Sequence, residues 1–243
     1  MSREIHRWYS PNLNKEMEIA IYGHYGYVLL MFPTAGADYL EYERFKLIDS
    51  IGGFLGDGKL KAFSINSINN ESWLNNSMYP AHKAMRHQQY NRYVVEEVVP
   101  FIHNHCKGLV PIITTGASLG ALHAANNFFR RPDIFSGTIA MSGSYDLKSY
   151  AKGYYDENVY FNSPVDYLPR WQDDFMFENM RKGRIVIASG QGDFEKPDAS
   201  KQLSNILNIR GVKHWLDLWG YDQPHDWPTW RSMLPYFLRH IKF

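Results

Sequence analysis

The sequence predicts an α/β protein with a mostly parallel central sheet, helices on both faces and an antiparallel N-terminal edge. Three observations carry this. Short apolar runs alternate with segments of helical spacing from Tyr27 to the C-terminus, the pattern of strand–helix–strand units. The central runs, such as YVLLMF at 27–32, are continuous rather than alternating, as strands buried on both faces are. The first run, 16–21, alternates instead, with Met17, Ile19 and Ile21 on one face, which suits a half-buried antiparallel strand near the sheet edge.

The elements follow in order. The 27–32 strand ends at Pro33, 39–51 reads as a helix, and 61–65 is a short strand. Residues 82–105 have helical spacing at Val94, Val98, Phe101 and Ile102, and Pro100 should kink or break that helix. A strand at 109–115, a helix at 119–130 and a strand at 137–141 come next. Residues 145–170 have no clear period and read as an irregular excursion. The chain closes with a strand at 184–189, a helix at 200–209, a strand at 212–219 and a helix at 227–241. One domain spanning 1–243 is the simplest reading. In such sheets ligands bind beyond the carboxyl ends of the strands, so the loops after Phe32, Thr115, Ser189 and Trp219 are where chemistry belongs.

Composition narrows the function. The chain has 243 residues, 44% hydrophobic and 21% charged, which is a globular balance. A net charge of +1 argues against nucleic acid as the main partner. No run reaches the roughly 18 apolar residues of a membrane span. The single cysteine, Cys106, and an N-terminus without an apolar signal region predict a cytoplasmic protein. The ten histidines show no H-E-x-x-H or other ligand spacing, so neither a metal nor a cofactor is expected.

Gly116-Ala117-Ser118-Leu119-Gly120 matches G-x-S-x-G, following an apolar strand and opening a helix. That context makes it a nucleophile elbow. The serine sits on a strained strand-to-helix turn, and free N–H groups at the helix start favour a developing anion. A serine nucleophile needs a base and an acid. Four histidines follow Ser118: His123 lies inside the nucleophile helix, His214 in a strand and His240 at the C-terminus. His225 alone sits in a loop after the last strand. Of thirteen carboxylates between Ser118 and His225, Asp193 is the first after the RIVIAS strand and is the preferred acid; Glu195 and Asp198 compete closely and Asp222 distantly. An oxyanion hole needs two N–H groups. Leu119 supplies one. The other comes from the loop at 33–37, with Thr34 first and Ala35 second, since Pro33 has no N–H.

At these residues the chain resembles the putative-esterase family of α/β-hydrolases, which holds esterase D, feruloyl esterases and mycolyltransferases. The anchors are FPTAGADYLEY at 32–42, GASLGALHAANNFFRRPDIF at 116–135, AMSGSYD at 140–146, SGQGD at 189–193 and HDWPTWRSMLPYFL from His225. The resemblance implies the α/β-hydrolase fold and carries Ser118, Asp193 and His225 over as nucleophile, acid and base, with Leu119 an oxyanion donor. The family's first loop often reads His-Gly where this chain has Phe32-Pro33, so Thr34 rests on position alone.

The expected activity is therefore that of a serine esterase acting on a small-molecule ester through an acyl-enzyme. Acyl transfer and thioester hydrolysis use the same machinery, and a catalytically silent binding protein is the rival of a different class. The aromatic share of 16% has two addresses. Trp215, Trp219, Trp227 and Trp230 are expected to pack around the histidine loop. Tyr150, Tyr154, Tyr155, Tyr160 and Phe161 crowd the excursion, where they would select an aromatic or bulky acyl group. Trp73, in Glu71-Ser72-Trp73, reads as the anchor of a solvated loop, and Ser142 is assigned no chemistry.

Overall fold

A computed structural model describes residues 3–241. Its strands are β1 (Arg3–Ser10), β2 (Lys15–Tyr22), β3 (Tyr27–Phe32), β4 (Leu60–Ile65), β5 (Ile112–Ala117), β6 (Gly137–Met141), β7 (Arg184–Ser189) and β8 (Trp215–Leu218). They form one sheet in the order 1-2-4-3-5-6-7-8. The pairs β1–β2 and β2–β4 are antiparallel; every pair from β4–β3 onward is parallel. This is the α/β-hydrolase arrangement, with the antiparallel edge at the N-terminal side.

The continuous apolar strands divide their side chains between two cores. Val28, Leu30 and Phe32 of β3 enter one and Leu29 and Met31 the other. Three short turns, α1 (Glu41–Arg44), α2 (Leu47–Ser50) and α3 (Gly52–Gly56), lead from β3 to β4. A long helix follows as α4 (Pro80–Tyr93), a π-helical turn at Val94–Val98 and α5 (Val99–His105). Then come α6 (Leu119–Arg130), the excursion's α7 (Lys148–Ala151), α8 (Glu157–Tyr160) and α9 (Pro164–Tyr167), α10 (Asp174–Lys182), α11 (Pro197–Ile209) and α12 (Trp227–His240). The first core packs α4, α5, α6, α10 and α11 on one face, through Tyr90, Ile102, Phe128, Phe177 and Leu203. The second packs the α1–α3 segment and α12 on the other, through Tyr42, Leu55, Trp230 and Phe237.

Several elements depart from the expectations. The 39–51 segment is two turns, α1 and α2, rather than one helix, because Lys46 takes a left-handed φ of 62° and ends the helical run. Pro100 stands in the first turn of α5, so the α-helix is interrupted just before it, at the π turn, rather than at the proline itself. It lacks the N–H that would bond the carbonyl of Glu96, and the wider π turn just before it absorbs the misfit. The 109–115 strand starts only at Ile112, since Leu109 is exposed, and runs on through Ala117, which brings Gly116 and Ala117 into the sheet. Val212 caps α11 through its N–H to Leu207 O (2.8 Å), so the last strand is confined to Trp215–Leu218. The hairpin strand β1 and helix α10 lie where no element was expected. The strands at 27–32, 137–141 and 184–189 and the helix at 119–130 stand where the sequence put them.

Candidate active site

Ser118 occupies the turn between β5 and α6 at φ 56°, ψ −124°. That region is strained for a residue with a side chain, and it persists only where the surroundings enforce it. Here they do. A Cβ on Gly116 would stand 2.3 Å from Gly120 O, and one on Gly120 would stand 2.3 Å from Phe32 O. Both glycines are therefore required for helix, elbow and the end of β3 to pack together. Ser118 N–H bonds Met141 O (3.0 Å), tying the elbow to β6.

Ser118 and His225 line one cavity of about 200 Å3, along with Leu119, Ser142, Gly143 and Lys196. His225 lies in the loop after β8, as expected. Its N–H donates to Asp193 O (2.9 Å), and the loop seats against β7's exit because Gly190 and Gly192 have no side chain. A Cβ on Gly190 would be 2.1 Å from Gln223 O. Trp230 stands edge-on to the His225 ring, centroids 5.1 Å apart. The other three tryptophans do not: Trp227 stacks on Phe45, and Trp215 and Trp219 pack on Tyr236 and Phe237.

The carboxylate facing His225 is Glu195, not Asp193. Glu195 Oε2 lies 3.3 Å from His225 Nδ1, and its side chain is 1% exposed. Asp193 points its side chain to solvent. The reason is local. Phe194 takes φ 64°, reversing the chain, so Glu195, the next residue, turns back onto Ser189 and Gly190 at the end of β7. Asp198 pairs with Lys201 on the surface and Asp222 is exposed. Glu195 is held from several sides. Ser142 Oγ donates to Oε1 (2.5 Å), Gly190 N–H reaches Oε1 (3.2 Å) and Ser189 Oγ lies 3.1 Å from Oε2. Trp230 Nε1 in turn donates to Ser142 Oγ (3.0 Å). Burial pushes the carboxyl's pKa up, but the hydrogen bonds from His225, Ser142 and Ser189 outweigh it and hold the group below the usual carboxylate range. The carboxylate fixes the imidazole proton on Nδ1 and leaves Nε2 as an acceptor. Ser142 thus has a contact that its sequence did not suggest: it helps hold the carboxylate that faces His225.

The loop after β3 corrects a second expectation. Thr34 N–H donates to Glu41 Oε2 (2.8 Å) and Thr34 Oγ1 to Glu41 Oε1 (2.6 Å), so that N–H is already engaged. Among the described residues no protein acceptor takes the Ala35 N–H, and Ala35 is exposed. The loop's carbonyls are pinned in turn: Ala35 O by Asn69 Nδ2 (2.5 Å), Gly36 O by Asn70 Nδ2 (3.0 Å) and Ala37 O by Ser67 Oγ (2.8 Å). Asn69 Oδ1 accepts from His123 Nε2 (2.8 Å), which places His123 in a buried support rather than in the cavity. Trp73 is buried and donates to His87 Nδ1 (2.6 Å) beside it. Of the excursion's aromatics, Tyr150 reaches the cavity wall. Tyr154 and Tyr155 bond Asp156 and Asp166, and Tyr160 packs on Phe161.

Away from the cavity, Glu4, His6 and His105 bring ligand-type atoms within 4.8 Å of one another, a grouping hidden by their separation in sequence. Lys61 Nζ lies 3.0 Å from His105 Nδ1, which puts the neutral imidazole's proton on Nε2, the nitrogen facing Glu4. That arrangement opposes metal ligation through Nε2. Among the described residues no helix is long and apolar enough to cross a membrane.

Elbow, sheet order and site together define an α/β-hydrolase. The chain belongs to the putative-esterase family, whose model matches residues 64–241, and it is an esterase. Among solved structures it is similar to a ferulic acid esterase (19% identity, 98% of this chain and 96% of that one, TM-score 0.77). It is also similar to an S-formylglutathione hydrolase from Staphylococcus aureus (14% identity, 98% of each chain, TM-score 0.68). A third is MPT51 from Mycobacterium tuberculosis (15% identity, 99% and 98%, TM-score 0.70). No curated protein matches the chain in sequence.

Proposed function

We propose that the protein is a serine carboxylic ester hydrolase acting through an acyl-enzyme, with Ser118 as nucleophile, His225 as base and Glu195 as acid. The observation that carries this is one constellation: a strained serine sharing a cavity with a histidine whose Nδ1 faces a buried glutamate.

His225 Nε2 takes the Ser118 hydroxyl proton as Oγ attacks the ester carbonyl. Glu195 stabilises the imidazolium without itself taking the proton. The tetrahedral oxyanion is held by the N–H of Leu119, at the start of α6, and by that of Ala35 in place of Thr34. His225 then gives its proton to the departing alcohol. In the second half, water attacks the acyl-enzyme with His225 acting again as base. A cavity of about 200 Å3, walled by Ser142, Gly143, Tyr150 and Phe194, suits a short or compact acyl group rather than a long fatty chain. A single sheet supports one catalytic domain, and the lone cysteine supports a cytoplasmic setting.

Labelling with a fluorophosphonate and turnover of p-nitrophenyl acetate test the reading. Native protein should label at Ser118 and hydrolyse the ester. Ser118→Ala should lose labelling and lower kcat by about 10^4-fold or more. Unlabelled native protein, or undiminished labelling of the variant, would refute it.

A further inference from the structure

A second cavity, of about 240 Å3, lies between the π-helical stretch that follows α4 and the C-terminal end of α6. It shares no lining residue with the cavity at Ser118. Its walls include Arg92, Arg130 and Arg131, together with Gln88 and Asn91.

Arg130 is the informative group. It is half-buried, and among the described residues it makes no ion pair. Nη1 donates to Gln88 Oε1 (2.8 Å) and lies 3.3 Å from Asn162 Oδ1; both acceptors are neutral. Its other donors have no protein acceptor among the described residues. Burial, with Arg131 alongside, pulls its pKa below the ordinary value, the mark of a cation held without a counter-charge. A partly desolvated guanidinium is costly unless an anion meets it, and its planar fork matches carboxylate and phosphate oxygens. Arg131 has its own partner in Asp133 (2.7 Å), so Asp133 does not serve Arg130. Arg92 is exposed at the rim and has no ion pair among the described residues.

Two further features fall in the same place. Asn91 lines the cavity at 7% exposure, and its Oδ1 is buried without a partner; as an acceptor it can meet a hydroxyl of the ligand but not its anionic oxygens. The Val94–Val98 π turn supplies Val95 and Glu96 to the wall, and such turns recur at functional sites. Glu96, the acidic member of the lining, is exposed, so water screens it.

We propose that this cavity binds a small organic oxyanion, a carboxylate or phosphate, with Arg130 as its anchor and Arg92 closing from the rim. The site is independent of the esterase reading and stands or falls on binding alone.

Calorimetric titration of the full chain at constant pH and ionic strength tests it, with inorganic phosphate, glycerol 3-phosphate and lactate as probes. At least one probe should bind saturably, and the order of affinity tells phosphate from carboxylate. Arg130→Gln should weaken that binding by about tenfold or more, the loss of one charge-assisted contact. Arg92→Gln should weaken it by about threefold, as a solvated charge does. Lys196→Gln, at the other cavity, should leave it unchanged. If Arg130→Gln does not fold by circular dichroism, the exposed Arg92→Gln decides. Absence of saturable binding for all three probes up to about 50 mM, where a specific site would already be filled, overturns the proposal. So does native affinity in the folded variants.

Discussion

Two buried glutamates flank the cleft, and they behave in opposite ways. Glu195 is held below the usual carboxylate range and Glu41 is pushed above it. Burial raises both. The difference is the number and independence of the donors. Glu195 is met by His225, Ser142, Ser189 and the Gly190 N–H, drawn from three separate stretches of chain. Among the described residues Glu41 accepts hydrogen bonds only from the N–H and hydroxyl of Thr34, which do not offset its burial. One carboxylate is built to stay charged beside an imidazole. The other is built to hold a loop, and it does so by occupying the Thr34 N–H and hydroxyl.

The sharpest way to break this comparison is at the acid itself. Glu195→Gln should lower kcat by about 10^3- to 10^4-fold with little change in KM, because the imidazole loses its orienting charge. Asp193→Asn should stay within about threefold of native, since only its main chain touches His225. Steady-state kinetics on p-nitrophenyl acetate separate the two; equal losses would return Asp193 to the triad.

A smaller effect is expected at the other glutamate. Glu41→Ala frees the Thr34 N–H and unpins the loop, and should cost about 10- to 100-fold in kcat, the range of a misplaced oxyanion donor. An unchanged kcat would mean that the loop holds its shape through Asn69, Asn70 and Ser67 alone.

The smallest effect should be that of Ser142→Ala, which removes one hydrogen bond to the acid and costs about 1 kcal/mol. Its signature is a pH shift. In the native protein the lowered Glu195 pKa means that the unfolded chain binds that proton more tightly. Its stabilisation is therefore present above the ordinary carboxylate pKa of 4.5 and is lost as pH falls through the lower folded value. Ser142→Ala should raise the folded value and move the acid limb of the stability profile to higher pH. Glu41 works with the opposite sign. Its raised pKa makes its contribution complete at low pH and diminishing as pH rises through the folded value, so Glu41→Gln should flatten that decline. Denaturant unfolding across the acid range reads both.

How much of this was legible depends on which force fixes each part. The elbow was, because a serine at φ 56° between β5 and α6 demands glycines at fixed offsets, and Gly116 and Gly120 announce it. The helix at 119–130 and the strands at 27–32, 137–141 and 184–189 were, because each buries an unambiguous apolar run. The broken 39–51 segment was not, since its apolar residues keep helical spacing while Lys46 reverses the backbone. The exposed strand β1 has its register set by pairing with β2, and its own composition gives little sign of it.

By itself the sequence determined the order of the sheet's central strands along the chain, the strained turn at Ser118 and the loop that carries His225, since local steric and apolar patterns specify these. Only the tertiary structure shows that Glu195 rather than Asp193 faces His225, and that the Thr34 N–H is engaged while Ala35's meets no protein acceptor among the described residues. These contacts turn on a reversal at Phe194 and on a carboxylate arriving from Glu41. A carboxylate's role is set by which donors surround it, and those donors come from chain segments that meet only when the sheet is assembled.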